Sequence, residues 1–276
     1  MKVRIYSDLH LDSYWVNGRW VEKWYPPFHK DDKQTTLILA GDLWIGVHFI
    51  FSGGSSWIEG MSRRFKQVLI VLGNHDYWPC SNGLSIKDGG RKCNELLGQM
   101  GIFNVKVLDC DTHADEEVLF VGCTLWTDMR SRDPLTMFNF SHYMGEADAT
   151  IVFDDFGNGM KFSSERFVET HERHKAYIKL IAEQNRDKKI VVITHHVPLT
   201  SVGNPAFTKD LASGYYESDL SELILDNPHI KLWAYGHTHY QNDVLVGETR
   251  MINNCVGYKG QEFERQRKVK HKIIEI

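Results

Sequence analysis

Aspartate and histidine recur along this chain in five short clusters: Asp8-Leu9-His10, Gly41-Asp42, Gly73-Asn74-His75-Asp76, His195-His196 and Gly236-His237-Thr238-His239. Imidazole nitrogens mixed with carboxylate and amide oxygens suit Mn, Fe or Zn, whereas all-oxygen cages favour Ca or Mg and all-thiolate sites favour Zn or iron–sulfur clusters. Two such ions about 3.5–4 Å apart can clamp the attacking and leaving oxygens of an in-line displacement and lower the pKa of bound water. They need a carboxylate that bridges them, and the clusters hold several. The donor set therefore points to metal-assisted hydrolysis. Other plans lack their residues: there is no Gly-x-Ser-x-Gly elbow, no His-Glu-x-x-His helix and no Gly-x-x-x-x-Gly-Lys-Ser/Thr loop.

Side chains so far apart in the chain meet only if the fold gathers them, and each cluster directly follows a β-rich run. Residues 3–7, 36–40, 68–72, 190–194 and 232–235 are such runs, and the Leu-Ile-Leu centre of the second reads as a strand buried on both faces. Ligands of open α/β sheets bind beyond the carboxyl ends of the strands, where loops converge on a rigid support. The spacing predicts a helix over 165–184, with Phe167/Val168, Ala176/Tyr177 and Leu180/Ile181 as its apolar stripe. Short runs at 243–246, 248–252 and 269–276, with Gly247 at a hairpin turn, predict a second sheet packed on the first. Residues 127–159 are mixed in character, rich in Asp and aromatics, and end in the turn-like stretch 154–159. We expect one domain over 1–276 with an insertion or cap near 127–159.

Composition narrows the substrate. A formal net charge of -4 gives no general attraction to a polynucleotide. The basic stretch 265–272 reads as a solvated face, so nucleic acid is not the expected partner. Cys80, Cys93, Cys110, Cys123 and Cys255 are odd in number, scattered and without a C-x-x-C pair, as free thiols would be. With no apolar leader after Met1 and no stretch of membrane-span length, the expected location is cytoplasmic and the expected membrane role none. His29, His48, His113, His142, His171, His174 and His229 have no spacing partner and read as surface or satisfied core residues. Trp15 and Trp44 follow two of the clusters, where packing is the ordinary role of tryptophan and lining a substrate pocket the alternative.

In order and spacing, Asp8-x-His10, Gly41-Asp42, Gly73-Asn74-His75-Asp76, His195 and Gly236-His237-x-His239 resemble the five blocks of the calcineurin-like metallophosphoesterase superfamily, and they span most of the chain. The resemblance implies an α/β four-layer α-β-β-α sandwich, two packed mixed β-sheets flanked by helices. It implies two divalent or trivalent transition-metal ions (Mn, Fe or Zn, with Mn and Fe favoured), one held by Asp8, His10 and His239, the other by Asn74, His195 and His237, with Asp42 bridging. His75 would stand beyond the metals, protonating the leaving alkoxide or stabilising phosphoryl charge, and Asp76 would orient its imidazole. His195 and His196 point to opposite sides of a strand end; His195 follows the apolar run directly and is the favoured ligand, leaving His196 behind the ligands or against substrate, although a register shift of one would exchange them.

Departures from the pattern matter too. Gly41-Asp42-Leu43-Trp44 lacks the Asp-Arg-Gly continuation of protein serine/threonine phosphatases, and Asp76 replaces the Glu of their Gly-Asn-His-Glu block, which argues against that branch. The implied activity is hydrolysis of a phosphodiester or phosphomonoester of a small phosphorylated substrate, a nucleotide being one candidate, by attack of a hydroxide bridging the metals. A nuclease or dinucleotide polyphosphate hydrolase is the alternative, and a non-catalytic scaffold would require lost ligands, of which there are none. Asn253-Asn254 and Gly257-Tyr258 resemble a stretch of little-characterised bacterial members and carry no substrate information. Oligomeric state leaves no mark in the sequence.

Overall fold

The computed structural model describes residues 1–17, 19–20, 24–44, 54–78, 84–140, 151–154, 160–207, 211–260 and 269–276. Its strands in chain order are β1 (Lys2–Tyr6), β2 (Trp15–Val16), β3 (Arg19–Trp20), β4 (Thr35–Ala40), β5 (Gln67–Val71), β6 (Val105–Val107), β7 (Asp111–Asp115), β8 (Val118–Gly122), β9 (Val152–Asp154), β10 (Met160–Lys161), β11 (Lys189–Ile193), β12 (Ile230–Tyr235), β13 (Asn242–Val246), β14 (Thr249–Asn253) and β15 (Ile274–Glu275). One sheet has the order β15-β1-β4-β5-β6 and the other β13-β14-β12-β11-β8-β7. Both are mixed: β1, β4, β5 and β6 are parallel with β15 antiparallel, and β8, β11, β12 and β14 are parallel with β7 and β13 antiparallel at the edges.

Alternation along the strands builds the layers. Val3, Ile5, Ile38, Ala40, Leu69 and Val71 of the first sheet share one buried cluster with Phe120, Val191, Ile193, Leu232, Ala234 and Ile252 of the second. The intervening residues Leu37, Leu39, Val68 and Ile70 turn outward onto Trp57, Ile58 and Met61 of the helix Ser55–Arg64 and Cys93 and Leu97 of the helix Gly89–Gln99. On the other outer face Val121, Val192, Trp233, Tyr235 and Met251 pack with Ile178 and Ala182 of the helix Ser164–Gln184 and Leu223 and Ile224 of the helix Ser221–Asp226. The order helix, sheet, sheet, helix is the four-layer sandwich, and burial on both faces explains why the strands read as continuous apolar runs.

Two expectations are corrected. The five runs before the clusters belong to both sheets, β1, β4 and β5 to one and β11 and β12 to the other, so the clusters meet where the carboxyl ends of two sheets converge. The second sheet also draws on β7 and β8, which are followed by none of the five clusters and so left no signal. The run 269–276 is strand only at Ile274–Glu275. Ahead of it the backbone is held by side chains instead of a ladder: Asn254 Nδ2 donates to the Lys270 carbonyl at 2.8 Å, Lys270 N–H donates to Asn254 Oδ1 at 2.9 Å, and Lys270 and Lys272 reach Asp243.

In the segment 127–159, Met129, Arg130, Ser131 and Arg132 all have positive φ (50°, 57°, 57° and 61°) and make one turn of left-handed helix. It is followed by a right-handed helix Pro134–Phe138, capped by Asp133 through the Thr136 amide. β9 and β10 pair antiparallel. Residues 155–159, most of the expected closing turn, lie outside the described residues, as do 141–150. Residues 265–268 of the basic stretch, Cys80, His48 and His142 lie outside them as well.

Beneath the first sheet, Arg4 and Asp32 form a buried ion pair at 2.8 Å with side chains only 1% and 2% exposed, and Arg64 Nε donates to the second Asp32 oxygen at 2.6 Å. Burial pushes the Asp32 carboxyl up, but the His29 amide, Arg4 and Arg64 outweigh it and hold it below its ordinary 3.8. A depressed carboxyl stabilises the fold fully above the unfolded value, and that contribution is lost as pH falls below 3.8 through the folded one. Asp32→Ala leaves Arg4 charged and buried on the strand that delivers Asp8, and urea unfolding at pH 7 is expected to show a loss of about 3–5 kcal/mol.

Candidate metal centre

The loops after the strands are stitched to one another. Asp8 N–H donates to the Gly41 carbonyl at 3.0 Å, His10 N–H to Asp42 at 3.0 Å, Gly236 N–H to His195 at 2.9 Å and Gly257 N–H to Asp8 at 2.8 Å. A Cβ at Gly41 would overlap the His195 imidazole, and one at Gly73 would overlap the Asp42 carboxylate, so both positions need glycine for close approach. Asp8, His10, Asp42, His237 and His239 all have left-handed backbones, with φ of 51°, 41°, 52°, 71° and 47°. This conformation costs non-glycine residues about 1–2 kcal/mol each. Such strain persists only where the surroundings over-determine it, and it gathers at functional sites.

Two groups of donor atoms face Asp42. In the first, His10 Nε2 and His239 Nε2 are 3.0 Å apart, His239 Nε2 lies 3.5 Å from Asp8 Oδ1, and His10 Nε2 lies 3.9 Å from Asp42 Oδ2. In the second, His195 Nε2 is 3.0 Å from Asn74 Oδ1, 3.2 Å from His237 Nδ1 and 3.4 Å from Asp42 Oδ1. One carboxylate oxygen of Asp42 therefore addresses each group. His195 Nδ1 donates to the Ala40 carbonyl at 3.0 Å, which leaves the Nε2 lone pair directed into the second group.

The residues fit a pair of metal ions. Asp8, His10 and His239 place ligand atoms all within 4.8 Å of one another, as do Asp42, His195 and His237. Ligands about 2.0–2.2 Å from one ion are at most about 4.4 Å apart, so each group needs only slight contraction. Among the described residues Asp8 Oδ2 is buried with no hydrogen-bond partner, and converging lone pairs of this kind are costly in a dry pocket unless a cation satisfies them. Without an ion, a proton on His195 offsets the Asp42 charge. Burial pushes the Asp42 carboxyl up, yet His195 and His75 outweigh it and hold it well below the ordinary range. Burial lowers His195, but the Asp42 charge and hydrogen bond prevail and bring it to about 9. His10 and His237 are kept neutral, chiefly by burial.

His196 does not enter either group. Its Nδ1 lies 3.3 Å from the Thr124 carbonyl, and its ring packs 4.2 Å from His237 and 5.0 Å from Trp126, behind the site. His75 stands at the mouth, with Nε2 3.9 Å from Asp42 Oδ2, and shares a further group within 4.8 Å with His10 and Asp42. The expectation that Asp76 orients this imidazole is not met. The Asp76 carboxylate turns back and accepts from the amides of Gly73 (2.8 Å), Asp42 (2.9 Å) and Trp44 (3.1 Å), bracing the two loops, while His75 Nδ1 has no hydrogen-bond partner among the described residues. Burial, then the charge of Asp42, pushes the Asp76 carboxyl up to about 7.

Three aromatic residues missed in the sequence border the site. Trp78 stacks on His75 at 3.5 Å, Tyr258 stacks on His10 at 4.0 Å, and Tyr216 lies 5.2 Å from His237. Trp78 sits three residues after His75, across one 3-10 turn, which was the available signal. Trp44 is 5% exposed and packs against Trp20 in the core, so it is a packing residue; the side chain of Trp15 is outside the described set.

His171 and His174 are buried core residues that steady the site from below. His171 Nδ1 meets the carbonyls of Leu125 and Trp126, and Leu125 N–H donates to His174 Nδ1 at 3.1 Å. They grip a corner whose Thr124 carbonyl accepts the amides of His195 and His196. His174 also lies within 4.8 Å of Asp109 and Cys110. With Nδ1 already accepting, its neutral ring carries the proton on Nε2, and burial pushes the Cys110 thiol up to about 12, so this trio is a poor metal site.

Residues 1–241 match the family model described as calcineurin-like phosphoesterase. The chain belongs to the calcineurin-like phosphoesterase family. Among curated proteins it is 26% identical over 271 residues to the uncharacterized protein L509 of Acanthamoeba polyphaga mimivirus, covering 93% of this chain and 91% of that one. Among solved structures it is similar to the phosphopantetheinyl hydrolase PptH of Mycobacterium tuberculosis, with TM-score 0.67, 16% identity and coverage of 98% and 92% of the two chains. It also matches a putative 5'-nucleotidase of Staphylococcus aureus at TM-score 0.48 and 16% identity, covering 91% of this chain and 48% of that one. The members of this family are phosphoester hydrolases, and the PptH likeness extends the shared fold over nearly the whole chain. No described helix is long and apolar enough to cross a membrane.

Proposed function

We propose that this chain is a dinuclear metal-dependent phosphoesterase that hydrolyses a phosphomonoester or phosphodiester of a small substrate in the cytoplasm. The observation that carries the reading is the Asp42 carboxylate, which turns one oxygen toward each group of donors. Asp8, His10 and His239 would hold one ion, Asn74, His195 and His237 the other, and Asp42 both. The mixed imidazole and oxygen set favours Mn or Fe, with Zn also suited. A bound pair supplies Lewis-acid polarisation of the phosphoryl group and a water of lowered pKa.

The chain's own residues do the rest. Asp76 ties the Gly73 and Asp42 loops together, keeping the carboxylate in place. His195 is locked by the Ala40 carbonyl in the tautomer that presents Nε2. His75, at the open side, donates a proton to the departing oxygen or a hydrogen bond to the phosphoryl oxygens. The start of the expected cap is tied to the stretch that bears Tyr216: Thr127 Oγ1 donates to the Gly214 carbonyl and Asp128 N–H to Ser218 Oγ at 3.0 Å. A dinucleotide polyphosphate hydrolase would use the same centre, whereas a nuclease needs a basic groove that a net charge of -4 does not favour.

The test is turnover of p-nitrophenyl phosphate and bis-p-nitrophenyl phosphate before and after chelation, then with Mn²⁺ restored. The expected result is hydrolysis of at least one reporter, lost on chelation and regained with Mn²⁺, the preferred reporter separating monoester from diester. Turnover that survives complete removal of metal would refute the proposal.

A further inference from the structure

We propose that Tyr258 is the positioning residue of His75. The inference rests on the reading of His75 as the proton donor, and it assigns the part for which Asp76, the neighbour in sequence, proves unsuited. Tyr258 Oη lies 3.2 Å from His75 Nε2. Among the described residues His75 Nδ1 is buried and has no hydrogen-bond partner, so it does not fix the ring orientation. Trp78, stacked at 3.5 Å with an interplanar angle of 27°, fixes the plane of the imidazole. A stacked face cannot tell one ring nitrogen from the other, nor a ring from its flipped form. The hydroxyl can, because it bonds to one nitrogen only.

Tyr258 is itself firmly placed. Its ring stacks on His10 at 4.0 Å and 20°. Its backbone is anchored on either side by Val256 N–H to the Ser7 carbonyl at 3.0 Å, Gly257 N–H to the Asp8 carbonyl at 2.8 Å and Lys259 N–H to Ser13 Oγ at 3.3 Å. The loop that carries Tyr258 is thus tied to the loop that carries Asp8 and His10, and the hydroxyl is delivered over the site from a position 183 residues away in the chain. When His75 carries a proton on both ring nitrogens, its Nε2–H donates to Oη on the side facing the site, where a departing oxygen can take the place of the hydroxyl and receive that proton, leaving a neutral imidazole.

Tyr258→Phe keeps the ring on His10 and removes only the hydroxyl, so the zinc-loaded variant and the zinc-loaded parent can be compared directly, with equal metal content as the control. Long-range ¹H–¹⁵N NMR of the histidine side chains is expected to show one sharp, hydrogen-bonded Nε2 environment for His75 in the parent and several or exchange-broadened environments in Tyr258→Phe. Turnover of an alkyl phosphate ester, whose leaving group needs a proton, is expected to fall by about 10- to 100-fold in kcat with KM within about twofold, while the p-nitrophenyl ester changes less than about threefold. A single sharp His75 environment in Tyr258→Phe, or equal losses on both esters, overturns the proposal. If the environment becomes heterogeneous but the parent hydrolyses neither ester, the positioning role stands and the phosphoesterase reading falls.

Discussion

Asp42→Ala is expected to empty both metal positions together and to lower turnover by about 10³-fold or more, because the lost transition-state stabilisation amounts to several kcal/mol and each 1.36 kcal/mol is tenfold in rate. The reasoning is geometric. Asp42 Oδ1 stands 3.4 Å from His195 Nε2 and Oδ2 stands 3.9 Å from His10 Nε2, so no other described carboxylate touches both groups. Removing it takes one ligand from each ion and also the charge that brings His195 to about 9. Metal analysis of the purified variant beside its parent checks this. Retention of one full equivalent of metal would show that the two groups are independent and that Asp42 does not bridge.

His75→Gln is the opposite case, with metal content unchanged and rate lost. His75 lies at the mouth, with its Nε2 3.9 Å from Asp42 Oδ2 and engaged by Tyr258 at 3.2 Å. A positioned general acid contributes typically about 10²- to 10⁴-fold, and its loss falls hardest on leaving groups of high pKa. An alkyl ester is expected to slow by that amount, and the p-nitrophenyl ester by much less. Full turnover of the alkyl ester would remove His75 from the reaction. Loss of metal in this variant would make it a ligand instead.

The candidate site was largely legible because each cluster closes an apolar run, and a strand buried on both faces must release its chain at the sheet edge, where loops meet. Alternation let only one of His195 and His196 face the site, and His195 was favoured because it follows the apolar run directly, with a register shift left open; in the structure His195 Nε2 lies 3.4 Å from Asp42 Oδ1 and the His196 ring packs on Trp126. What was not legible depends on direction in space. Asp76 follows His75 in the chain, but on the 3-10 turn His75–Tyr77 its carboxylate points back to the amides of Gly73, Asp42 and Trp44. The division of five similar strands between two sheets follows from which faces meet in the core, and no single strand announces it. β7 and β8 escaped notice because none of the five clusters follows them. The contact of Tyr258 with His75 joins residues 183 apart, and nothing local to either one encodes it.

The most direct test of the central claim is an anomalous-scattering map from crystals of the chain grown with Mn²⁺. Two peaks about 3.5–4 Å apart are expected, with Asp42 between them, one beside Asp8, His10 and His239 and the other beside Asn74, His195 and His237. A single peak, or a pair that leaves Asp42 uncoordinated, would contradict the account.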